Sequence, residues 1–213
     1  LDKASNRIIE ACKSKEKIAI CGDYDADGIT STALLIEILG ILGADVTAFI
    51  PSRMDEGYGL NVNMINKINE QSINLIITVD NGISAFSAIK RSNELGIDLI
   101  ITDHHKIPNI NQNIYALIHP EETPLNSPYK YLAGVGIAYM LALYICKKLK
   151  FNIEKTTARE LYCIGTIADM APVIGANRKW LKECLPKIQL TKNIGLKAIL
   201  YKLKLNNTDI TVQ

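Results

Sequence analysis

Over the first 120 residues, short apolar runs alternate with longer amphipathic stretches; beyond them only amphipathic stretches remain. The runs at 17–22, 45–50, 74–79, 98–102 and 114–118 are too short for helices and end in Gly, Pro, Asp or His, which reads as buried strands closed by turns. Between them, residues 1–13, 28–43, 62–71 and 84–95 repeat apolar positions at helical spacing. Strands that alternate with helices of this length predict a doubly wound, mainly parallel five-stranded α/β sheet of Rossmann-like build. The Pro-rich, polar segment from Glu121 to Pro128 reads as a loop or linker. Past it, helical spacing recurs at 132–150, 156–168, 179–189 and 196–204. The expected organisation is an α/β part over 1–128 followed by an all-helical part over 129–213.

Bulk properties narrow the class. A hydrophobic fraction of 48% is enough for a buried core. No apolar run reaches the ~18 residues that span a bilayer, so no membrane segment is expected. Five cysteines without C-x-x-C spacing suit buried thiols in a reducing compartment, and the expected location is cytoplasmic. The net charge of +2 hides an asymmetry. Residues 176–213 hold eight Lys and Arg against Glu183 and Asp209, leaving the rest of the chain acidic. A basic end beside an acidic site suits a polyanionic partner, although the tail by itself reads first as a solvated helix face.

The acids are concentrated where strands end. Asp23-Tyr-Asp25-Ala-Asp27-Gly28 follows the first strand, Asp80-Asn-Gly82 the third, Asp103-His104-His105 the fourth, and Asp169 ends a helix in the second part. In a 2-1-3-4-5 strand order the first three groups meet at one edge of the sheet, where open α/β sheets bind ligands. Each group also fits a plainer role: Asp80 as a helix cap, the histidines as an exposed pair, the Asp23 cluster as an acidic turn. Together, carboxylates in excess with one or two imidazoles form an oxygen-rich set suited to Mn²⁺ or Mg²⁺ rather than zinc. Two such ions would offset the carboxylate repulsion and suit phosphoester hydrolysis.

The segments Asp-Tyr-Asp-Ala-Asp-Gly, Val-Asp-Asn-Gly, Asp-His-His, Gly134-Val-Gly136-Ile-Ala and Gly165-Thr-Ile-Ala-Asp169 occur in the order and spacing of the DHH phosphoesterase superfamily, which the chain resembles over about residues 17–180. Pro51-Ser-Arg53, Glu56-Gly-Tyr-Gly59 and Asn177-Arg178 resemble its RecJ branch of single-stranded-DNA-specific 5′ exonucleases. The resemblance implies two Mn²⁺ or Mg²⁺ ions. Asp25 would serve one ion, with Asp23 completing that site; Asp27, His104 and Asp169 would serve the other, and Asp80 would bridge them. It further implies that His105 faces the substrate while Asp103 orients a histidine. Arg53 and Arg178 would contact phosphate, as would the N–H groups at Gly134 and Gly136. Many members carry a histidine four residues before the first ligand, where this chain has Cys21. His119 matches no motif and is expected to be structural.

The implied activity is two-metal hydrolysis of single-stranded DNA from its 5′ end, in repair and recombination. The first residue is Leu rather than Met, and neither the glycine-rich second domain of nuclease members nor an OB-type module is recognisable, so the chain is expected to be the catalytic core of a longer exonuclease. No motif specifies a helicase or single-strand-binding-protein partner. Three alternatives remain at this point. They are another DHH phosphodiesterase (oligonucleotide or cyclic dinucleotide) or pyrophosphatase; a HAD-type phosphatase, from the likeness of Asp25-Ala-Asp27-Gly28-Ile-Thr30 to its signature; and a non-catalytic RecJ-like replication scaffold.

Overall fold

The protein is seen in a computed structural model that describes residues 1–52, 54, 57–108 and 113–205. Helix α1 (Asp2–Ser14) precedes strand β1 (Lys17–Cys21), helix α2 (Ala26–Ile41) and strand β2 (Asp45–Phe49). Then come α3 (Val62–Glu70), β3 (Leu75–Val79), α4 (Phe86–Glu94), β4 (Asp98–Thr102) and β5 (Ala116–Ile118). The five strands pair only in parallel, in the order β2-β1-β3-β4-β5. Residues of one strand alternate between faces. Ile18 and Ile20 of β1 therefore join the core under α1 and α2, while Ala19 and Cys21 join the core under α3 and α4. With right-handed crossovers, the reversal of direction at β1 puts helices on both faces.

The second part is helical: α5 (Gly134–Lys148), α6 (Ala158–Ala168), α7 (Gly175–Cys184) and α8 (Ile194–Lys202). One core runs from Ile18 and Leu35 through Leu141 and Tyr162 to Leu196, so the helical part packs directly on the α/β part. Tyr139, Tyr162 and Trp180 form its aromatic centre, with the two tyrosines stacked at 5.1 Å and the tryptophan edge-on to both.

Several boundaries differ from the sequence expectation for local reasons. The first long helix begins at Ala26 rather than Gly28, because the Asp25 side chain accepts the Gly28 N–H at 2.9 Å and caps it. The stretch expected as a helix over 179–189 is α7 up to Cys184. It then tightens into a 3-10 turn at Leu185–Leu190, where Pro186 can donate no backbone hydrogen bond. The edge strand β5 spans three residues rather than five. No helix among the described residues is long and apolar enough to cross a membrane, and all five cysteines are free and buried.

Candidate metal centre

Strands β1, β3 and β4 are neighbours, and their carboxyl ends bring three of the acidic segments together. Asp23 follows β1 directly and is wholly buried. Gly28 makes room for it, since a Cβ there would fall 1.8 Å from Asp23 Oδ1. Asp80 follows β3 in the left-handed region, φ 61°, a conformation that Asp tolerates better than most residues. That turn aims its carboxylate back across the sheet end. Asn81 fixes the turn with its side chain, donating to the Cys21 carbonyl at 3.1 Å and accepting from Leu60 N–H at 3.0 Å.

Three sets of side chains have ligand atoms within 4.8 Å of one another: Asp23, Asp25 and Asp80; Asp27, His104 and Asp169; and Asp80, His104 and His105. Asp80 and His104 each belong to two sets, so the groups form one continuous centre. His104 Nε2 lies 2.9 Å from Asp80 Oδ1 and 3.8 Å from Asp27 Oδ2. The buried Oδ2 of Asp23 has no hydrogen-bond partner among the described residues, and the contact of Asp80 Oδ1 with His104 is not aligned as a hydrogen bond. Buried carboxylate oxygens left unsatisfied are costly. The donor set and these open oxygens fit divalent cations that prefer oxygen ligands.

Titration follows from this crowding. Burial, then the neighbouring charges of Asp80 and Asp25, push Asp23 up to about 6 against a lowering hydrogen bond from Tyr58. Burial and the charge of Asp80 raise Asp27 to about 8. Asp80 and Asp169 are also raised, chiefly by burial. Burial works against a charged His104, but its pairing with Asp80 prevails and lifts it to about 9. Without cations the centre therefore retains protons; cations would displace them.

His105 is placed differently from His104. Its Nδ1 lies 2.7 Å from Asp103 Oδ1, and its side chain is about half exposed. Asp103 also accepts the N–H groups of His104, His105 and Ile83 at 2.8, 3.0 and 2.9 Å. Burial would raise Asp103, but these bonds and the His105 ring hold it below the ordinary carboxylate value. A charged Asp103 fixes the imidazole and leaves Nε2 free to meet a ligand.

The other sequence expectations fall as follows. Gly134 N–H and Val135 N–H, at the start of α5, both donate to the Asp27 carboxylate at 2.7 Å. The helix N-terminus is thus turned to a buried acid 107 residues away in the chain rather than left open for a phosphate. Gly134 is required by close approach, because a Cβ would sit 2.4 Å from that of Asp80. A Cβ at Gly136 would meet the Leu132 side chain, so this glycine serves packing. Arg178 is exposed on α7 and makes no ion pair among the described residues. Arg53 lies outside the described residues. Cys21 is fully buried under α3 and α4, and burial keeps its thiol protonated far above the usual range. That is the opposite of what a thiolate ligand needs.

Two residues given no chemical role by the sequence reading adjoin the centre. Tyr58 lies close enough to Asp23 to lower its pKa and places its hydroxyl 3.3 Å from the Asp80 carbonyl, with its ring edge-on to Tyr24 and His105. The Glu-Gly-Tyr-Gly segment was the available signal for it. His119 is buried, accepting Glu121 N–H through Nδ1 and lying 2.7 Å from the His105 carbonyl through Nε2. Only tertiary contacts reveal that role.

An oxygen-rich centre at the carboxyl end of a doubly wound sheet, closed by an acid at a helix end, defines an α/β domain suited to divalent cations. The model for the N-terminal domain of the DHH family matches residues 17–166, and the chain belongs to that family. It is similar to the single-stranded-DNA-specific exonuclease RecJ of Bacillus subtilis, with 40% identity over 99% of this chain and 26% of that protein. The Thermus thermophilus protein of the same name is 37% identical over 93% of this chain and 29% of its own length. Among solved structures, an exonuclease RecJ bound to manganese superposes with a TM-score of 0.87 at 33% identity, covering 98% of this chain and 52% of that one. RecJ of Thermus thermophilus in complex with Mn²⁺ gives 0.81 at 32% identity, covering 94% and 28%. The chain spans only about a quarter to two fifths of the curated relatives it matches.

Proposed function

We propose that this chain is the catalytic part of a divalent-metal-dependent, single-stranded-DNA-specific exonuclease that works 5′ to 3′ in the cytoplasm, in DNA repair and recombination. The observation that carries the reading is the continuous centre of Asp23, Asp25, Asp27, Asp80, His104 and Asp169, in a fold shared with RecJ structures that hold manganese. Asp23 and Asp25 would hold one Mn²⁺ or Mg²⁺ ion, Asp27, His104 and Asp169 a second, and Asp80 would contribute to both. When bound, the two ions lower the pKa of water and neutralise charge on the phosphoryl oxygens.

The chain's own groups do the rest. Asp27, held by the first two N–H groups of α5, keeps its carboxylate fixed as cations come and go. His105, oriented by Asp103, presents Nε2 to a phosphate oxygen or to the leaving oxygen, and the Asp103 pairing that raises its pKa favours the protonated ring. Arg178, and Arg53 by resemblance alone, add positive charge for the strand. Replacing either histidine separates the two roles. His104→Ala should weaken Mn²⁺ binding at least about tenfold in calorimetry. His105→Ala should bind Mn²⁺ as the parent does and lower kcat by about 10²-fold. The reverse pattern would mean the roles are exchanged.

The reading is tested by Mn²⁺-dependent hydrolysis of 5′-labelled single-stranded DNA, a dinucleotide and pyrophosphate. Mononucleotides released from the 5′ end of the strand are the expected product. Turnover of the dinucleotide or of pyrophosphate alone would assign the centre to another phosphoesterase activity.

A further inference from the structure

A cleft lined in part by His104 and Asp169 opens between the end of β5 and the turn after α6. Its volume is about 330 Å³, and its walls include Lys130, Tyr131, Met170 and Pro172 together with those two centre residues. That is within the size range of sites for small organic groups. The walls are held together from behind. Asn177 is 1% exposed, and its side-chain amide donates to the carbonyls of Tyr131 at 2.8 Å and Pro172 at 3.0 Å while its oxygen accepts the Tyr162 hydroxyl at 2.8 Å. A buried, fully used amide makes the distance between the two walls a fixed property of the fold.

The surface it holds open is apolar where solvent would favour polar groups. Tyr131 is 50% exposed and Met170 88% exposed. Met170 also sits in the left-handed region, φ 57°, just past the end of α6. Glycine is the favoured residue at that position, and another side chain there costs of order 1 kcal/mol. A large thioether is thus displayed beside Asp169 at a site where the backbone favours no side chain. Lys130, at the rim, makes no ion pair among the described residues.

We infer that this cleft binds the nucleoside attached to the scissile phosphate, with the base against Tyr131 and Met170 and Lys130 toward the phosphate. The inference rests on the nuclease reading above for its substrate class, while the cleft itself is defined by its own residues. An aromatic face accepts every base, because each has a π surface, and one stack contributes enough to change affinity about tenfold or more. The thioether adds a polarizable contact to the same ring.

The test compares thymidine 5′-monophosphate with the 5-phosphate of 1,2-dideoxyribose, in which hydrogen replaces the base, by calorimetry on the whole chain at saturating Mn²⁺. The nucleotide should bind roughly tenfold more tightly. Tyr131→Ala should abolish that preference without altering Mn²⁺ stoichiometry, and Tyr131→Phe should retain it. Met170→Gly relieves the left-handed strain, so it should fold at least as well as the parent and reduce the preference about threefold. Equal affinity of the parent for both ligands, or a preference that survives Tyr131→Ala and Met170→Gly, would overturn the subsite. If the preference follows these residues while no strand is cleaved, the subsite stands and the exonuclease reading fails.

Discussion

Replacing Asp80 with Ala should lower the Mn²⁺-dependent hydrolysis of single-stranded DNA by at least about 10³-fold, whereas Asp23→Ala should cost about 10- to 100-fold. The difference follows from position. Asp80 shares ligand distance with Asp23 and Asp25 on one side and with His104 on the other. Its removal takes a carboxylate from both halves of the centre, while Asp23 contributes to one. Asp80→Asn separates this loss from any loss of fold. The amide keeps the shape and tolerates φ 61°, and it removes a buried acid whose ionisation is already disfavoured. Metal-free Asp80→Asn should therefore still fold cooperatively, melting somewhat below the parent at pH 8 because His104 loses the charge it pairs with, with activity lost. Activity of Asp80→Ala close to the parent at saturating Mn²⁺ would refute the shared-ligand assignment, as would a larger loss for Asp23→Ala.

Much of this arrangement was legible because the same residues carry fold and chemistry. An apolar run that stops at an acid both ends a strand and places a carboxylate. The order β2-β1-β3-β4-β5 then assembles Asp23, Asp80 and Asp103 without further information. What was not legible depends on contacts between distant segments. The glycines at 134 and 136 suggested open N–H groups, yet the partner that occupies the first two is Asp27, more than a hundred residues earlier. Asp25 could be placed at a strand end by pattern, but its capping bond to Gly28 N–H depends on where the helix starts. Pro186 is visible in the sequence, but its effect is masked there, because helical spacing continues through it while the hydrogen bonding does not. Tyr131 and His119 carry no periodic or motif signal, and Met170 shows in the sequence only as the neighbour of Asp169. Their importance arises from Asn177 and the His105 carbonyl, which only the folded chain brings to them.

The metal-free protein should lose thermal stability steadily between pH 6 and pH 9, and Mn²⁺ should restore it most at the alkaline end. The sign follows from the centre's titration. Asp23 and Asp27 have ordinary values of 3.8 and stand at about 6 and about 8 in the fold, first because they are buried. A carboxyl group whose folded pKa is raised stabilises the fold while protonated, and that contribution is lost as pH climbs to the folded value. His104, raised from 6.5 to about 9 by Asp80 despite its burial, acts in the same direction. Its favourable charge is complete below 6.5 and gone above about 9. All three groups therefore favour the metal-free fold at pH 6 relative to pH 9. Cations need the deprotonated carboxylates and neutral imidazole, so Mn²⁺ affinity rises over the same interval and binding releases protons. At a Mn²⁺ concentration about 100 times Kd, the fold gains about 2.7 kcal/mol, or roughly 5–10 °C in Tm for a chain of this size. Scanning calorimetry at pH 6, 7.5 and 9, with and without Mn²⁺, should show the two curves diverging as pH rises. Asp27→Asn should flatten the metal-free slope above pH 7, because it removes the carboxyl group that titrates near 8. A metal-free Tm that stays level or increases from pH 6 to pH 9 would show that these acids are already ionised without cations, and so would a Mn²⁺ shift independent of pH.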